Sequence, residues 1–328
     1  MPLDWSGFVQ LVQNHRRFLL TTHVRPDGDG LGSMLALADA LEAREKSVQM
    51  VVASVLPPRY DFLDPRQRVR RFAPPGEAYR QAEAVIILDT GTWNQLGDFG
   101  EFLKTLDVPR AVIDHHLTQD DLGALRLVDP SAEATGRLVY EAVTALGGPL
   151  GPDAAHCLFV ALAMDTGWFR FSNTTPATFA LAERLVASGA NPTGAYEALF
   201  EQNSLGRMKL TGLVLERLTL AHGGQVCYSE VRKGDYESTG ATPRETEDLV
   251  NYTRGVQGVE VGLFFLEQPR GGVKVSFRAR SRVDVAAIAE RFGGGGHRLA
   301  SGAVLDTTLD DARERVLAAV GAALDAAS

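Results

Sequence analysis

Short apolar runs alternate with helical periodicity through the first half of the chain. Apolar residues at 18–20 end one predicted strand, and leucine, methionine and alanine recur at helical spacing from 31 to 41. A second strand is predicted at 48–53, and nearly continuous apolar runs at 84–88 and 111–113 are typical of strands buried in a parallel sheet. This alternation predicts an α/β fold with a doubly wound parallel sheet in the N-terminal domain.

The pattern changes near residue 190, where Gly189-Ala190-Asn191-Pro192 indicates a turn. Beyond it the sequence predicts a smaller, mixed α/β domain with its own core. Its strands are predicted at 225–230, 259–266 and 272–278, and its helices near 243–253, 284–291 and 309–324. We therefore expect a first domain at 1–189, a linker at 190–206 and a second domain at 207–328.

A helix is also predicted to follow Ser131. Its apolar positions run at helical spacing to Leu146, and Gly147-Gly148-Pro149 ends it. Serine is a common N-cap, and the segment lacks the glutamate or glutamine of a full capping box. We therefore expect Ser131 to cap this helix by itself.

Length and composition indicate two soluble domains. The chain has 328 residues, of which 45% are hydrophobic and 23% are charged, enough for two separate cores. No apolar run approaches about 18 residues and the first residues do not resemble a secretory signal, so we expect no membrane partner. Cys157 and Cys227 lie far apart in apolar surroundings, which favours reduced core thiols. A cytoplasmic location is the expectation.

Charge is spread unevenly along the chain. The formal net charge of −8 argues against a protein that holds long nucleic acids mainly by neutralising phosphates, because that mode needs a broad basic surface. From 270 to 298, however, seven basic residues stand against two acidic ones. This local positive excess marks a candidate phosphate-binding face.

The turn after the first strand, at 22–33, collects polar side chains. One imidazole, His23, and two carboxylates, Asp27 and Asp29, are separated by residues that include glycines able to fold tightly. In an α/β sheet a strand-to-helix turn lies at the carboxyl end of the strand, where sites form. Such ligands can converge on a hard metal ion. In the alternative interpretation, Asp27 or Asp29 is only the helix N-cap.

Other predicted elements also end in ionisable residues. Asp89 follows the run at 84–88, and Asp114, His115 and His116 follow the run at 111–113. A single aspartate often starts a turn, but repeated aspartate and histidine at strand ends exceed what turns require. Asp165 follows a helix that is apolar around most of its circumference, where an isolated carboxylate would be costly.

Together these positions form a candidate metal-binding set without a thiolate, which favours manganese or magnesium over structural zinc. Such a set can hold two ions with one carboxylate bridging them, an arrangement suited to hydrolysis of a phosphate ester. The candidate ligands are four carboxylates and two imidazoles: His23, Asp27, Asp29, Asp89, His115 and Asp165.

These motifs resemble, in order, the four motifs of the DHH phosphoesterase family. They are the turn at 23–33, the strand ending at Asp89, the triplet 114–116 and Asp165-Thr166-Gly167. The second half resembles the DHHA1 substrate-binding domain in the segments 276–278, 292–297 and 300–302. The resemblance covers nearly the whole chain and implies a DHH domain, a DHHA1 domain and an active site in the cleft between them.

Within the family, the compact length most resembles the branch of bifunctional oligoribonucleases and 3′-phosphoadenosine-5′-phosphate phosphatases, also called nanoRNases. RecJ-type exonucleases carry additional domains that a chain of this length cannot contain. Family II pyrophosphatases have a different C-terminal domain, and the glycine-rich segment at 292–297 counts against them. The membrane-attached cyclic-dinucleotide phosphodiesterases of the family carry extra N-terminal segments.

The resemblance implies a two-metal mechanism in which a hydroxide held between the ions attacks phosphorus. His23, Asp27 and Asp89 would bind one ion, and Asp89 would bridge to the other. The ligands implied for that second ion are Asp29, Asp89, His115 and Asp165.

Further roles follow from the same resemblance. Asp114 would orient a histidine, and His116 would contact the scissile phosphate or assist the leaving oxygen. The alternative for His116 is a structural hydrogen bond beneath the site, and the alternative for Arg278 is the solvated face of a strand that also carries Arg280 and Arg282. The implied substrate-binding residues are Ser276, Arg278, Gly294, Gly295, Gly296 and His297.

The activity implied is manganese-dependent hydrolysis of very short single-stranded RNA to 5′-mononucleotides, together with hydrolysis of 3′-phosphoadenosine-5′-phosphate to AMP and phosphate. Magnesium could replace manganese, and the sequence leaves a homodimer open. Hydrolysis of linear or cyclic dinucleotides, of short DNA or of longer single strands as by RecJ are the alternative activities. A non-catalytic sensor of nucleotides or RNA ends is disfavoured because all six ligand positions are filled.

Overall fold

The computed structural model describes residues 3–327, which form two compact units. The first unit runs to Gln202 and the second begins at Asn203. The helices of the first unit are α1 (Ser6–Asn14), α2 (Gly28–Glu42), α3 (Gly97–Lys104), α4 (Thr135–Ala145), α5 (Pro152–Asp165), α6 (Pro176–Ala187) and α7 (Pro192–Phe200). Its strands are β1 (Arg17–Thr21), β2 (Ser47–Val52), β3 (Val69–Arg71), β4 (Ala84–Leu88), β5 (Arg110–Asp114) and β6 (Ala124–Val128).

The helices of the second unit are α8 (Leu205–Glu216), α9 (Lys233–Thr239), α10 (Val250–Arg254), α11 (Val285–Glu290) and α12 (Leu309–Ala326). Its strands are β7 (Thr219–Ala221), β8 (Val226–Val231), β9 (Val261–Glu267), β10 (Val273–Ala279), β11 (Gly295–His297) and β12 (Ala300–Leu305). Short 3₁₀ helices lie at Pro58–Leu63, Glu77–Tyr79, Asn94–Leu96, His222–Gly224 and Pro243–Thr246.

The first unit is built on a six-stranded parallel sheet in the order β3-β2-β1-β4-β5-β6. Phe18 of β1 pairs with Val48 of β2 on one side and with Ala84 of β4 on the other. All five residues of β4 are buried, because separate apolar clusters cover the two faces of the sheet. The predicted doubly wound parallel sheet is confirmed.

The strand order reverses between β1 and β4, so the connections that leave these strands run in opposite directions. Such a reversal opens a crevice at the carboxyl ends of the strands, where ligands bind in doubly wound folds. Helix α2 starts at this edge and is buried along almost its whole length. It packs so closely on α5 that a Cβ atom on Gly32 would collide with the carbonyl oxygen of Cys157.

Two edge strands, β3 and β6, did not show in the hydrophobic pattern. Strand β3 has only three residues, and β6 exposes Leu125, so neither presents a continuous apolar run. The prediction that Ser131 caps the following helix was wrong. Helix α4 begins at Thr135, and both the backbone amide and the hydroxyl of Ser131 donate to Asp129 instead.

The second unit contains a mixed six-stranded sheet in the order β11-β12-β10-β9-β8-β7. Strands β8 and β9 are parallel, and the other neighbours are antiparallel. Helices α11 and α12 cover one face, while α8 and α10 cover the opposite face over β8 and β9. On β10, alternate residues from Val273 to Ala279 are buried, whereas Lys274, Ser276 and Arg278 lie on the less buried face. The predicted mixed α/β domain is confirmed.

Part of the glycine-rich segment of the second unit is ordered as a strand. Gly295–His297 forms β11, which pairs with the unpredicted strand β12. Cys157 and Cys227 are buried free thiols, one on α5 and one on β8. Within residues 3–327, no helix is both long and apolar enough to cross a membrane.

Candidate metal centre

The sequence-predicted ligands converge at the carboxyl edge of the parallel sheet. Asp89 follows β4 directly, and Asp114 is the last residue of β5, so His115 begins the next loop. His23 and Asp27 lie between β1 and α2. Because parallel strands end at the same edge, residues distant in sequence become neighbours here.

Asp27 serves as the N-cap of α2, as one of the two interpretations of this turn proposed. Its Oδ1 accepts hydrogen bonds from the amides of Asp29 at 3.0 Å and Gly30 at 3.1 Å. The same oxygen lies 3.7 Å from Nε2 of His23. Burial opposes ionisation, but His23 and the backbone amides lower the pKa of Asp27. Capping and a place in the ionic cluster are therefore compatible in one carboxylate.

His23, Asp27 and Asp89 form the first group of candidate ligands. Nε2 of His23 lies 3.4 Å from Oδ2 of Asp89, and one potential ligand atom from each residue falls within 4.8 Å of the others. The other ring nitrogen, Nδ1, is 2.9 Å from the carbonyl oxygen of Val24. This contact orients Nε2 towards the carboxylates, as is common for metal-binding histidines.

Asp29, His115 and Asp165 form the second group, again with candidate atoms within 4.8 Å of one another. Nε2 of His115 lies 3.2 Å from Oδ2 of Asp165, 3.8 Å from Oδ2 of Asp29 and 3.6 Å from Oδ1 of Asp89. Asp89 thus presents Oδ2 to His23 and Oδ1 to His115. Nδ1 of His115 contacts the carbonyl oxygen of Ala132 at 3.1 Å, which directs Nε2 into the cluster.

Asp114 is fully buried beside this cluster and is paired with His116. Its Oδ1 accepts from the amides of His115 and His116 and lies 2.8 Å from Nδ1 of the His116 ring. Burial opposes ionisation, but the hydrogen bonds from His116 and Gln119 lower the pKa of Asp114. The hydrogen bond to Asp114 in turn raises the pKa of His116 to about 8. His116 is 55% exposed, so a structural hydrogen bond and an accessible ring coexist.

The electrostatics of the cluster favour a cation. Burial, followed by the charge of neighbouring carboxylates, raises the pKa of Asp29, and burial is also the main cause of the raised pKa of Asp89. Burial also raises the pKa of Asp165, to about 6. Burial lowers the pKa of His23, but Asp27 and Asp89 outweigh it and raise this pKa to about 10.

Grouped carboxylates in a buried site are costly unless a positive charge compensates them. Protons supply that charge when no cation is present, and a bound divalent ion would displace them. Carboxylate oxygens and imidazole nitrogens without a thiolate are donors that suit manganese and magnesium. The residues therefore fit divalent ions.

Thr135 and Gly136 also belong to the site, although no motif in the sequence marks them. The amide of Thr135 donates to Oδ2 of Asp29 at 2.7 Å, and the amide of Gly136 donates to Oδ1 at 2.8 Å. The hydroxyl of Thr135 donates to Oδ1 of Asp89 at 2.9 Å. The start of α4, which has no side-chain cap of its own, is thus capped by a carboxylate from α2.

A left-handed turn follows Asp165. Gly167, Trp168 and Phe169 have φ angles of 55°, 57° and 62°, which is strained for the two aromatic residues. Aromatic contacts hold both rings, Trp168 against Tyr196 of α7 and Phe169 against Phe179 of α6. Gly167 marks the end of α5 in the sequence, but no local signal indicates that two bulky residues continue in the left-handed conformation, which they disfavour.

Within the second unit, the candidate substrate-binding residues lie on β10 and on β11, which flank β12, and Gly294 directly precedes β11. Ser276 of β10 pairs with Gly302 of β12, which also pairs with Gly295 of β11. In the same way, Arg278 and His297 both pair with Ala300. The fold therefore brings together residues that are about twenty positions apart in sequence; the full candidate group is Ser276, Arg278, Gly294, Gly295, Gly296 and His297.

The three alternating arginines of this region differ in their contacts. The guanidinium of Arg280 donates to the carbonyl oxygens of Val259 and Arg254, and Arg282 donates to Gln225. Arg278 donates to the carbonyl oxygen of Phe277 and is partly buried, which lowers its pKa. Arg280 is therefore bonded to two backbone carbonyls from outside its own strand, whereas Arg278 bonds only the carbonyl oxygen of the preceding residue and lies on the less buried face of β10.

Comparison with known proteins matches both units. A family model described as the DHH family, N-terminal domain, matches residues 17–162, and one described as the DHHA1 domain matches residues 223–326. A bifunctional oligoribonuclease and PAP phosphatase NrnA of Thermus thermophilus is 36% identical over 307 residues, or 92% of this chain and 88% of that protein. The Bacillus subtilis protein of the same name is 28% identical over 318 residues, or 95% of this chain and 96% of that protein.

Among solved structures, an exopolyphosphatase-related protein from Bacteroides fragilis has the same fold. Its TM-score is 0.87 at 21% identity, and the match covers 98% of this chain and 97% of that one. The ordered motifs, the sheet topology and the two matched domains agree with one another. This chain belongs to the DHH family and carries a DHH domain followed by a DHHA1 domain.

Proposed function

We propose that this phosphoesterase hydrolyses very short oligoribonucleotides to 5′-mononucleotides and 3′-phosphoadenosine-5′-phosphate to AMP and phosphate, with manganese as its metal. The observation that carries the proposal is the meeting of Asp89 with both histidines of the cluster, at 3.4 Å from His23 and 3.6 Å from His115. The Thermus thermophilus relative named for both activities supports the choice of substrates.

We assign the ligands in two sets that share Asp89. His23, Asp27 and Asp89 would hold one ion, and Asp29, Asp89, His115 and Asp165 would hold the other. Divalent ions here would lower the pKa of water towards neutrality and offset the charge that develops on phosphoryl oxygens. The protein's own contribution is to hold these carboxylates close together, with Asp29 and Asp89 buried, so that the site is already formed before substrate binds.

His116 is proposed to act on the scissile phosphate or on the leaving oxygen. Asp114 holds its ring through Nδ1 at 2.8 Å, and the ring is nevertheless 55% exposed. The hydrogen bond to Asp114 raises the pKa of this histidine to about 8, which favours a protonated ring. A positioned proton donor with a pKa near the working pH suits departure of an alkoxide leaving group.

The second unit is proposed to bind the remainder of the nucleotide. Arg278 provides a guanidinium for a phosphate, and the backbone amides of Gly294 to Gly296 allow close approach of phosphate oxygens. The net charge of −8 does not favour a long basic track, so short substrates are preferred. Both proposed substrates present a 5′-phosphorylated nucleoside with a 3′-phosphate to be hydrolysed, and one site can therefore serve both.

The test is hydrolysis by the purified protein with manganese, magnesium or no added metal. The substrates are 5′-phosphorylated RNA of two to five nucleotides, an RNA of about 24 nucleotides that would need a longer basic track, linear and cyclic dinucleotides, and 3′-phosphoadenosine-5′-phosphate. We expect manganese-dependent release of mononucleotides from the shortest RNA, release of phosphate from the bisphosphate, and slow attack on the long strand. Chromatography resolves the products.

Other outcomes assign another function. Rapid attack on the long RNA would indicate a RecJ-like exonuclease, and exclusive cleavage of dinucleotides would indicate a dinucleotide phosphodiesterase. If the protein binds these substrates but hydrolyses none of them, the result would indicate a sensor. A mock purification without the protein, assayed in parallel, identifies activity from a contaminating nuclease because that activity would persist.

A further inference from the structure

We propose that Thr135 is a positioning residue of the metal centre, which fixes Asp29 and Asp89 relative to each other. This inference rests on the metal-dependent function proposed above. Thr135 contacts the two carboxylates through different groups, with its amide 2.7 Å from Oδ2 of Asp29 and its hydroxyl 2.9 Å from Oδ1 of Asp89. Both carboxylates are proposed ligands of the same ion.

These contacts join elements that are distant in sequence. Thr135 lies 106 residues after Asp29 and 46 residues after Asp89, and it is itself fully buried. As the first residue of α4, it has an amide that no earlier turn of the helix can satisfy. The partial positive charge at this helix start also faces the carboxylates. The helix start therefore holds two carboxylates in place through one residue.

The hydroxyl is the part of Thr135 that distinguishes positioning from capping. The amides of Thr135 and Gly136 would bind Asp29 whatever side chain stood at 135. Asp89, in contrast, receives only the side-chain hydroxyl from this residue. The φ angle of Asp89 is 60°, an uncommon value for a residue other than glycine. The hydroxyl therefore orients a carboxylate that also faces His23 and His115.

A change at position 135 should weaken metal binding before it alters chemistry. Groups that orient metal ligands typically contribute about 10- to 100-fold to metal affinity. We therefore expect Thr135→Val, which keeps the branched shape and the amide but removes the hydroxyl, to weaken one of two manganese sites by about that factor. Thr135→Ser restores a hydroxyl and should bind manganese within about threefold of the unchanged protein, because the same hydrogen bond can form.

The measurement is manganese titration of the metal-free protein, followed by electron paramagnetic resonance of the free ion and by calorimetry. Hydrolysis is then measured as a function of manganese concentration. Thr135→Val should raise the manganese concentration needed for half-maximal hydrolysis, while turnover at saturating manganese largely recovers. Thr178→Val is the matched control, since it removes a fully buried hydroxyl of the same unit that bonds Thr175 and Glu133 rather than a proposed metal ligand. This control should leave both manganese sites unchanged.

Several results would overturn the inference. Unchanged manganese affinity in folded Thr135→Val would do so, as would an equal loss in Thr135→Ser or in the Thr178→Val control. Failure of both Thr135→Val and Thr135→Ala to fold, as judged by circular dichroism, would assign Thr135 to fold stability instead. If the unchanged protein binds no manganese, the proposed function itself has failed, and that outcome is distinct from the others.

Discussion

The two units place their candidate functional residues in different environments. In the first unit, Asp29, Asp89 and Asp114 are almost completely buried near the ends or starts of helices and strands. Thr135 hydrogen-bonds Asp29 and Asp89, and His116 hydrogen-bonds Asp114. In the second unit, Ser276 and Arg278 lie on the less buried face of one strand. Buried charges depend strongly on their partners, whereas charges near solvent are screened. Substitutions in the first unit should therefore have larger and less substrate-specific effects.

The largest effect is expected at the carboxylate shared by the two ligand sets. Asp89→Asn should reduce kcat/KM about 10³-fold on every substrate, corresponding to about 4 kcal/mol, because a shared metal ligand is lost. Hydrolysis of short RNA and of a simple aryl phosphodiester should be measured together. Asp98→Asn, at an exposed position of α3, is the control. Manganese-dependent turnover retained in the folded Asp89→Asn protein would remove Asp89 from the site.

A smaller effect is expected at the exposed edge of the same unit. His116→Asn should keep an amide donor for Asp114 but remove the titratable ring, and kcat should fall about 10²-fold because general-acid assistance is lost. Manganese affinity should stay unchanged, since the proposed ligands are untouched. Steady-state kinetics and manganese titration check this together. Weakened manganese binding with normal kcat at saturation would instead make His116 a ligand.

Metal binding should stabilise one unit selectively. Manganese at about 100 times its Kd should add about 2.7 kcal/mol to the free energy of unfolding of the first unit by mass action. Hydrogen exchange of peptides from α2 and α4, with α12 as an internal control, measures this in one experiment. A chelator should reverse the protection. Equal protection of both units would contradict the assignment of the metal to the first unit alone.

The smallest effect is expected on the sheet of the second unit. Arg278→Ala should raise KM for short RNA about tenfold through loss of a charged hydrogen bond, while hydrolysis of a simple aryl phosphodiester changes little. Lys274→Ala, on the same face of β10, is the matched control and should change KM less than about twofold, as exposed charges usually do. Equal losses on both substrates would show that Arg278 has a structural or catalytic role.

Much of the fold was readable because the informative patterns are local. The strands β4 and β5 are buried on both faces, and the sequence predicted both as strands with bounds correct to within a residue. The edge strands β3 and β6 were missed because an edge strand needs no continuous apolar run. The supposed cap at Ser131 failed for another reason: the helix begins only at Thr135, where Asp29 accepts from the first amides, and Ser131 lies in the preceding turn.

The gathering of the candidate ligands was also predictable, since strands of a parallel sheet end at a common edge. His23, Asp89 and His115 each follow such a strand, so sequence order and sheet topology together were sufficient to place them. The functional roles of these residues, and those of Ser276, Arg278 and the glycines of the second unit, stay predictions that the experiments above address.

By itself, the sequence determined the residue types, their order and the strand ends at which they occur. Only the tertiary structure decided which helix start faces which carboxylate. Thr135 meets Asp29 and Asp89 across 106 and 46 residues, and no local pattern encodes that contact. The left-handed turn at Gly167, Trp168 and Phe169 likewise depends on aromatic packing against α6 and α7. Periodicity reports burial along one element, whereas these contacts depend on how separate elements pack.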